Sequence, residues 1–250
     1  MNRRLVQIYR TGDDYRRYSW EDPDRRASLT RFVKQHRRFL GQSVLDLGCG
    51  GGVLGALVAP TGRSYLGVDA NPDMLREAWK TGLRFLKADI TRDRIPGRYD
   101  TVTLLGNAMA HFTVRDMDRL LRTRRANVRA GSTFLVDYRD LIAMFWQGTW
   151  TRVKVQSHLR AKVTSRARLL DLEAGKLDLR TRPSTRKWVL DWSHAIWAPF
   201  ILEMLMLHHG WVLIHRSSLG RPAGASKIPE GYADVYRLEG RPASGRGPRD

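Results

Sequence analysis

A chain of 250 residues with 42% hydrophobic side chains can bury one sizeable core and add at most a subdomain to it. Its single cysteine, Cys49, excludes an internal disulfide framework and a cysteine-cluster metal site. The 44 Lys and Arg residues against 25 Asp and Glu give a formal net charge of +19, which suits nucleic acid, an anionic membrane surface or an acidic substrate, and equally an arginine-rich composition with no such partner.

The N-terminus, MNRRLVQIYRTGDD, has basic residues but no apolar run behind them, and residues 195–207, the longest apolar stretch, are too short and too interrupted to span a bilayer. A soluble, cytoplasmic protein without a membrane span is expected. Residues 1–42 read as a mostly helical arm, in which Ser28 caps a helix carrying Leu29, Phe32, Val33 and Leu40 on one face. Tyr15, Tyr18 and Trp20 precede it as an aromatic cluster. They either pack the arm onto the domain or let it close over a ligand as a lid.

Residues 43–69, SVLDLGCGGGVLGALVAPTGRSYLGVD, have the form strand, glycine turn, helix, strand, acid. Glycines allow a sharp turn and a close approach to a ligand, and an acid ending the next strand, Asp69, can bind the two hydroxyls of a ribose. The arrangement is one that binds a nucleoside. Gly50, Gly52 and Gly55 satisfy the dinucleotide pattern G-x-G-x-x-G, while Asp46, Gly48, Gly50 and Gly52 satisfy D-x-G-x-G-x-G. A pyrophosphate would be repelled by Asp46, whereas a cofactor with an α-amino group and a sulfonium suits it. A purely structural role in helix-sheet packing explains one or two of these glycines but accounts poorly for four flanked by two strand-end acids.

After Asp69, Asn71 is expected to cap a helix with Pro72 in its first position. A third strand over residues 83–86 leads to Lys87-Ala88-Asp89-Ile90. Residues 101–106, TVTLLG, are an apolar run of the kind that forms a central parallel strand buried on both faces. The segment Gly106-Asn107-Ala108-Met109-Ala110-His111-Phe112 follows at that strand's carboxyl end, where α/β sheets place their chemistry. Thr113 and Asp116 form a capping box for a helix running to Ala130 with Met117, Leu120 and Leu121 inward. A fifth strand over residues 133–136 is followed by Asp137, Tyr138 and Arg139.

Beyond Trp150 the period changes to alternation, with turns at residues 173–176 and 182–184. Three or four antiparallel strands are expected there, inserted before a last helix over residues 198–209 that Gly210 terminates. Residues 211–216 and 233–238 complete the sheet, and residues 240–250 are a Gly/Pro/Arg-rich tail read as disordered. The expected organisation is an arm over 1–42, a nucleoside-binding core over 43–150, an inserted β subdomain over 151–197, closing elements over 198–239 and the tail.

Asp46-x-Gly48-x-Gly50-x-Gly52, Asp69, Asp89-Ile90 and the segment after strand four, taken together, resemble the motifs of the class I methyltransferases that use S-adenosylmethionine (SAM). The resemblance covers residues 43 to about 140 and implies a Rossmann-like α/β fold, a mostly parallel seven-stranded sheet with an antiparallel last strand. SAM is then the cofactor and S-adenosylhomocysteine the product. It implies cofactor contacts from Asp46, Gly48, Cys49, Gly50, Asp69, Ala70, Asp89, Ile90, Leu105 and Asn107, with Asp89 and the next N–H on the adenine; the alternative for Asp89 is an ordinary turn acid. GNAMAHF is similar to the GNSFAHL segment of glycine and sarcosine N-methyltransferases and their small-molecule relatives, with Ala108 and Phe112 in place of Ser and Leu. The resemblance makes Asn107 a substrate residue. As candidate bases, His111 and Tyr138 would serve a nucleophile that arrives protonated; for His111 the alternative is a histidine satisfied by a backbone carbonyl. Trp146, Trp150, Trp192 and Trp197 either roof the pocket or form the core of the inserted sheet.

Three functions follow. The first is a metal-free N- or O-methyltransferase for a small acceptor, which the net charge allows to be anionic. The second is an RNA methyltransferase, supported by charge alone. Cys49 is misplaced for C5-cytosine chemistry, and Gly106-Asn107-Ala108-Met109 lacks the Pro-Pro-aromatic turn used on exocyclic base amines. No aromatic-basic nucleic-acid signature is visible. The third is a non-catalytic SAM-binding subunit. An exposed inserted sheet would be a homodimer surface.

Overall fold

The computed structural model describes residues 23–148, 152–156, 162–183, 190–219 and 229–239. A first helix, α1 (Pro23–His36), leads into β1 (Ser43–Leu47), α2 (Val53–Val58), β2 (Ser64–Asp69), α3 (Pro72–Trp79), β3 (Arg84–Lys87) and β4 (Thr101–Leu104). Then come α4 (Val114–Arg124), β5 (Thr133–Arg139), α5 (Leu141–Trp146), four strands β6 (Arg152–Gln156), β7 (Lys162–Asp171), β8 (Lys176–Pro183) and β9 (Leu190–Ala195), and finally α6 (Pro199–His208), β10 (Trp211–Ser218) and β11 (Gly231–Leu238).

Seven strands form one sheet in the order β10-β11-β5-β4-β1-β2-β3. Strands β3, β2, β1, β4 and β5 are mutually parallel, and β11 runs antiparallel to both β5 and β10. The mostly parallel sheet with an antiparallel last strand is the expected one. The chain order reverses between β1 and β4, so the carboxyl ends of these two strands frame the crevice where open α/β sheets bind ligands.

Alternation along the strands assigns each side chain to a face. Leu45, Leu47, Val102, Leu104, Phe134 and Val136 pack with Met117, Leu120 and Leu121 of α4 and Leu202 and Met206 of α6. Val44, Tyr65, Leu135 and Val235 pack on the other face with Leu54 and Val58 of α2, and with Leu29, Phe32 and Val33 of α1. Thr113 and Asp116 form the expected capping box, a motif whose cap alone is worth about 1 kcal/mol. Asn71 Oδ1 accepts from Asp73 N–H at 2.9 Å as the cap of α3.

Three local expectations are corrected. Helix α1 begins at Pro23, so Ser28 lies inside it, and it ends at His36, so the buried Leu40 packs from beyond the helix. Helix α4 ends at Arg124, followed by a 3-10 turn at Arg125–Asn127, rather than running to Ala130. Strand β5 continues to Arg139 because its pairing with β11 carries the ladder through Asp137, Tyr138 and Arg139.

The inserted strands form a separate four-stranded antiparallel sheet in the order β6-β7-β8-β9, with Gly175 (φ 61°) in the β7–β8 turn. Its Leu177 and Leu179 pack with Leu141 and Met144 of the unexpected helix α5. No helix among the described residues is long and apolar enough to cross a membrane. The aromatic cluster Tyr15, Tyr18 and Trp20, Trp150 and the tail lie outside the described residues.

Candidate functional site

Between β1 and α2 the backbone of Gly48, Gly50 and Gly52 is left-handed, at φ 67°, 53° and 77°. Side chains are disfavoured in that region. The amides of Gly48 and Cys49 both donate to Val68 O, at 2.8 and 3.1 Å, and Gly50 N–H donates to Asp69 Oδ2 at 2.9 Å. The turn is thereby fastened to the end of β2. Packing adds its own requirement: a Cβ on Gly52 would lie 2.6 Å from the Phe85 ring, and one on Gly55 2.6 Å from the Tyr65 ring.

Asp69 sits at the end of β2 with one backbone donor on each oxygen, Gly50 N–H on Oδ2 and Asn71 N–H on Oδ1 at 2.8 Å. A carboxylate has about four lone-pair sites, so capacity remains for two hydroxyls. Burial pushes its pKa up, opposed by the N–H groups of Asn71, Gly50 and Ala70.

Asp46, expected at the cofactor, is held by the sheet itself. It shares the α2 face with Val44, is only 4% exposed, and accepts hydrogen bonds from Tyr65 Oη at 2.8 Å and Thr103 Oγ1 at 2.7 Å. Thr103 is its register partner on β4. Burial raises the Asp46 pKa to about 6 against these two hydrogen bonds, and the nearby charge of Asp69 raises it further. The thiol of Cys49 is likewise pushed up, chiefly by burial and then by Asp46 and Asp69, which disfavours the thiolate.

At the end of β3, Asp89 Oδ1 accepts from Thr91 N–H at 3.0 Å and Thr91 Oγ1 at 2.7 Å, closing a local turn, and Ile90 is buried. Leu105, just past β4, and Ala70, just past β2, are half-buried.

The segment after β4 lies against the glycine turn, since a Cβ on Gly48 would be 3.7 Å from Ala108 Cβ. Among the described residues Asn107 alone combines a side chain with a positive φ, 58°. Its N–H donates to Asp137 Oδ1 at 2.9 Å, and it opens a 3-10 turn, Ala108–His111. Trp197 is fully buried and holds this turn from the far side, its indole N–H reaching Met109 O at 3.1 Å and Phe112 O at 3.0 Å. Of the tryptophans read as either a pocket roof or the core of the inserted sheet, Trp197 is thus a buried anchor of this turn, and Trp146 is exposed at the end of α5.

Two histidines converge here. His111 ends the 3-10 turn, and His194 arrives from β9 of the inserted sheet, 5% exposed, with Nε2 3.4 Å from Asn107 Nδ2 and Nδ1 2.7 Å from Ala195 O. Burial lowers the His111 pKa to about 4, helped by His194, and burial lowers that of His194 to about 4 against its bond to Ala195. Both rings are therefore neutral at pH 7. His194 was not among the residues expected from sequence; its only signal is an inward histidine on an alternating strand.

Tyr138, the other candidate base, is buried and engaged elsewhere. Because β5 runs on to Arg139, Tyr138 faces the α4/α6 side of the sheet, opposite to Asp137. Its hydroxyl donates to Asp234 Oδ2 at 2.9 Å in a buried network with Tyr236 (3.0 Å) and Arg216 (2.8 and 2.9 Å). Burial and the Asp234 charge raise its pKa far above the ordinary tyrosine value.

Residues 44–131 match the family model described as a methyltransferase domain. The chain carries a class I, SAM-dependent methyltransferase domain. A ubiquinone biosynthesis O-methyltransferase from Methylococcus capsulatus is 31% identical over 104 residues, covering 35% of this chain and 44% of that protein. A glycine/sarcosine/dimethylglycine N-methyltransferase from Actinopolyspora halophila is 29% identical over 120 residues, 44% of this chain and 21% of that one. The chain spans less than half the length of these curated relatives. Among solved structures the CcbJ methyltransferase from Streptomyces caelestis superposes with a TM-score of 0.71 over 85% of this chain and 90% of that one, at 15% identity. Gly48, Cys49, Gly50 and Asp69 of this domain form one cluster with Asn107 and His111 beside it, joined by His194 of the inserted sheet, while Asp46 stands behind the turn and Tyr138 apart.

Proposed function

We propose that the protein transfers a methyl group from SAM to a nitrogen or oxygen of a small molecule by direct in-line displacement. The observation that carries this reading is the clamp of Gly50 N–H on Asp69 Oδ2, with the Asn107 segment packed on the same turn. The clamp fixes a carboxylate with spare acceptor capacity beside a left-handed glycine backbone, which fits a ribose and a nucleoside that approaches the main chain closely. Asp46, behind the turn, supplies a negative field for a cationic methionine end without touching it. SAM, when bound, supplies an electrophilic methyl on a sulfonium.

The chain's contribution is then positioning and exclusion of water rather than covalent or metal chemistry. We assign cofactor binding to the core over 43–150 and acceptor choice to the inserted sheet over 151–197, in a cytoplasmic setting. The net charge of +19 favours an anionic acceptor, and the same charge supports nucleic acid as a second reading. Relatives that methylate oxygen and nitrogen are about equally similar. A single-turnover assay with labelled SAM and a metabolite mixture should move label to a small acceptor. Label that never leaves SAM would turn the reading into a non-catalytic SAM-binding subunit, and label appearing only on added RNA would favour the nucleic-acid reading.

A further inference from the structure

The tautomer of His194 is set by its surroundings. A carbonyl oxygen can only accept, so the 2.7 Å contact with Ala195 O places the proton on Nδ1 and leaves a lone pair on Nε2. That lone pair faces the Asn107 amide at 3.4 Å, and only the amide's NH2 group can meet it productively. With the amide flipped, two acceptors would oppose one another. The side-chain oxygen Oδ1 is therefore turned the other way. It is buried, and no donor among the described residues reaches it. A buried acceptor left unsatisfied costs about 1–3 kcal/mol, which a ligand that donates to it would recover.

We propose that His194, through Asn107, orients an acceptor oxygen toward the methyl-accepting substrate and so selects a free amine as that substrate. The inference rests on the methyltransferase reading above. An amine N–H donates to Asn107 Oδ1 while the nitrogen lone pair remains available for attack. The nitrogen lone pair forms the new N–C bond, the C–S bond pair returns to sulfur, and the positive charge passes from sulfonium to nitrogen. The resulting ammonium loses its proton to water on leaving. A buried site disfavours an ammonium, so the amine sheds its proton to solvent on entering.

Oxygen nucleophiles are less well served. A buried site disfavours a phenolate, so a phenol cannot shed its proton to solvent as the amine does, and burial holds His111 and His194 well below the usual imidazole range, which makes them weak bases for a hydroxyl near pKa 10. Neutral histidines act here as acceptors and orienting groups. His194 belongs to the inserted sheet, so this strand couples the insertion to substrate choice. It is a positioning residue.

The experiment compares wild type, His194→Gln and His194→Leu. S-adenosylhomocysteine affinity is measured by calorimetry, and label transfer from SAM is measured to alkylamines, α-amino acids and amino sugars, and in parallel to phenols and catechols. Wild type is expected to label amines and not phenols. His194→Leu should lose about a hundredfold in kcat with amine, at unchanged S-adenosylhomocysteine affinity. His194→Gln, whose amide oxygen can still take the Asn107 N–H, should recover most of that loss. Label on phenols but not amines, no label on any amine despite cofactor binding, or equal losses in the two variants would overturn the proposal. Failure of wild type to bind SAM or S-adenosylhomocysteine would instead sink the methyltransferase reading beneath it.

Discussion

Tyr65 donates its hydroxyl to Asp46 at 2.8 Å, joining the start of β2 to the carboxylate that opens the glycine turn. Tyr65 also fills the space that Gly55 leaves on α2. One ring thus sets both the depth of α2 on the sheet and the partner of a buried charge. The turn is held from below by Tyr65 and Thr103 through Asp46, and from the side by Asp69.

The first prediction concerns Asp46 and pH. Its folded pKa is raised to about 6, whereas an unfolded aspartate titrates near 3.9. Between roughly pH 4 and 6 the folded protein keeps a proton that the unfolded chain has lost, so this group's contribution to stability falls as pH rises, by about 3 kcal/mol across the window. Urea denaturation at pH 4.5 and 7 should show about 2 kcal/mol of this fall in wild type relative to Asp46→Asn. An identical pH profile for the two would contradict it. Cofactor affinity has the opposite sign. A cation near Asp46 lowers its pKa, so SAM should bind more tightly above pH 6 in wild type and show a flatter dependence in Asp46→Asn.

Tyr138→Phe separates the buried network from the site. Loss of the hydroxyl removes one of the donors on Asp234 and should cost about 1 kcal/mol in stability, read by denaturant titration. The methyl-transfer rate should be unchanged. A hundredfold fall in rate at intact stability would restore Tyr138 as a base.

The main elements of the sheet were legible because their signals are local. Val44, Leu45 and Leu47 make a short apolar run around one acid, Asp46, and end in glycine, and Thr113 with Asp116 announces a helix start regardless of context. Asp137 and Tyr138 misled because a strand's last residue depends on its neighbour, here β11, which lies more than ninety positions away in the register pair Tyr232 with Tyr138. The direction of Asp46 follows from the same cause. Its position one residue from Leu45 and Leu47 puts it on the α2 face, and only the register with Thr103 and the ring of Tyr65 explain why a carboxylate is tolerated there. His194 was not legible because the register of the inserted sheet, and not any spacing, brings it to Asn107.

Gly52→Ala tests the fit of the turn. The new Cβ would require a left-handed φ and would lie 2.6 Å from the Phe85 ring. The backbone term is about 1–2 kcal/mol and overpacking adds a further 1–3 kcal/mol. Thermal or urea denaturation should show a loss of at least 2 kcal/mol. A variant as stable as wild type would mean that α2 and Phe85 can separate freely.

Asp69→Ala should weaken cofactor binding by well over tenfold, since the carboxylate both positions Gly50 N–H and offers lone pairs to ribose hydroxyls. Asp69→Asn, which keeps an acceptor for one backbone amide, should lie between. Affinity for S-adenosylhomocysteine measured by calorimetry orders the three proteins, and equal affinities would place the ribose elsewhere.

The most direct measurement is calorimetric titration of the purified protein with SAM, S-adenosylhomocysteine and NADH. Saturable one-to-one binding of SAM and S-adenosylhomocysteine, with no heat from NADH, is the predicted result. Binding of NADH with neither methionine derivative bound would contradict the account.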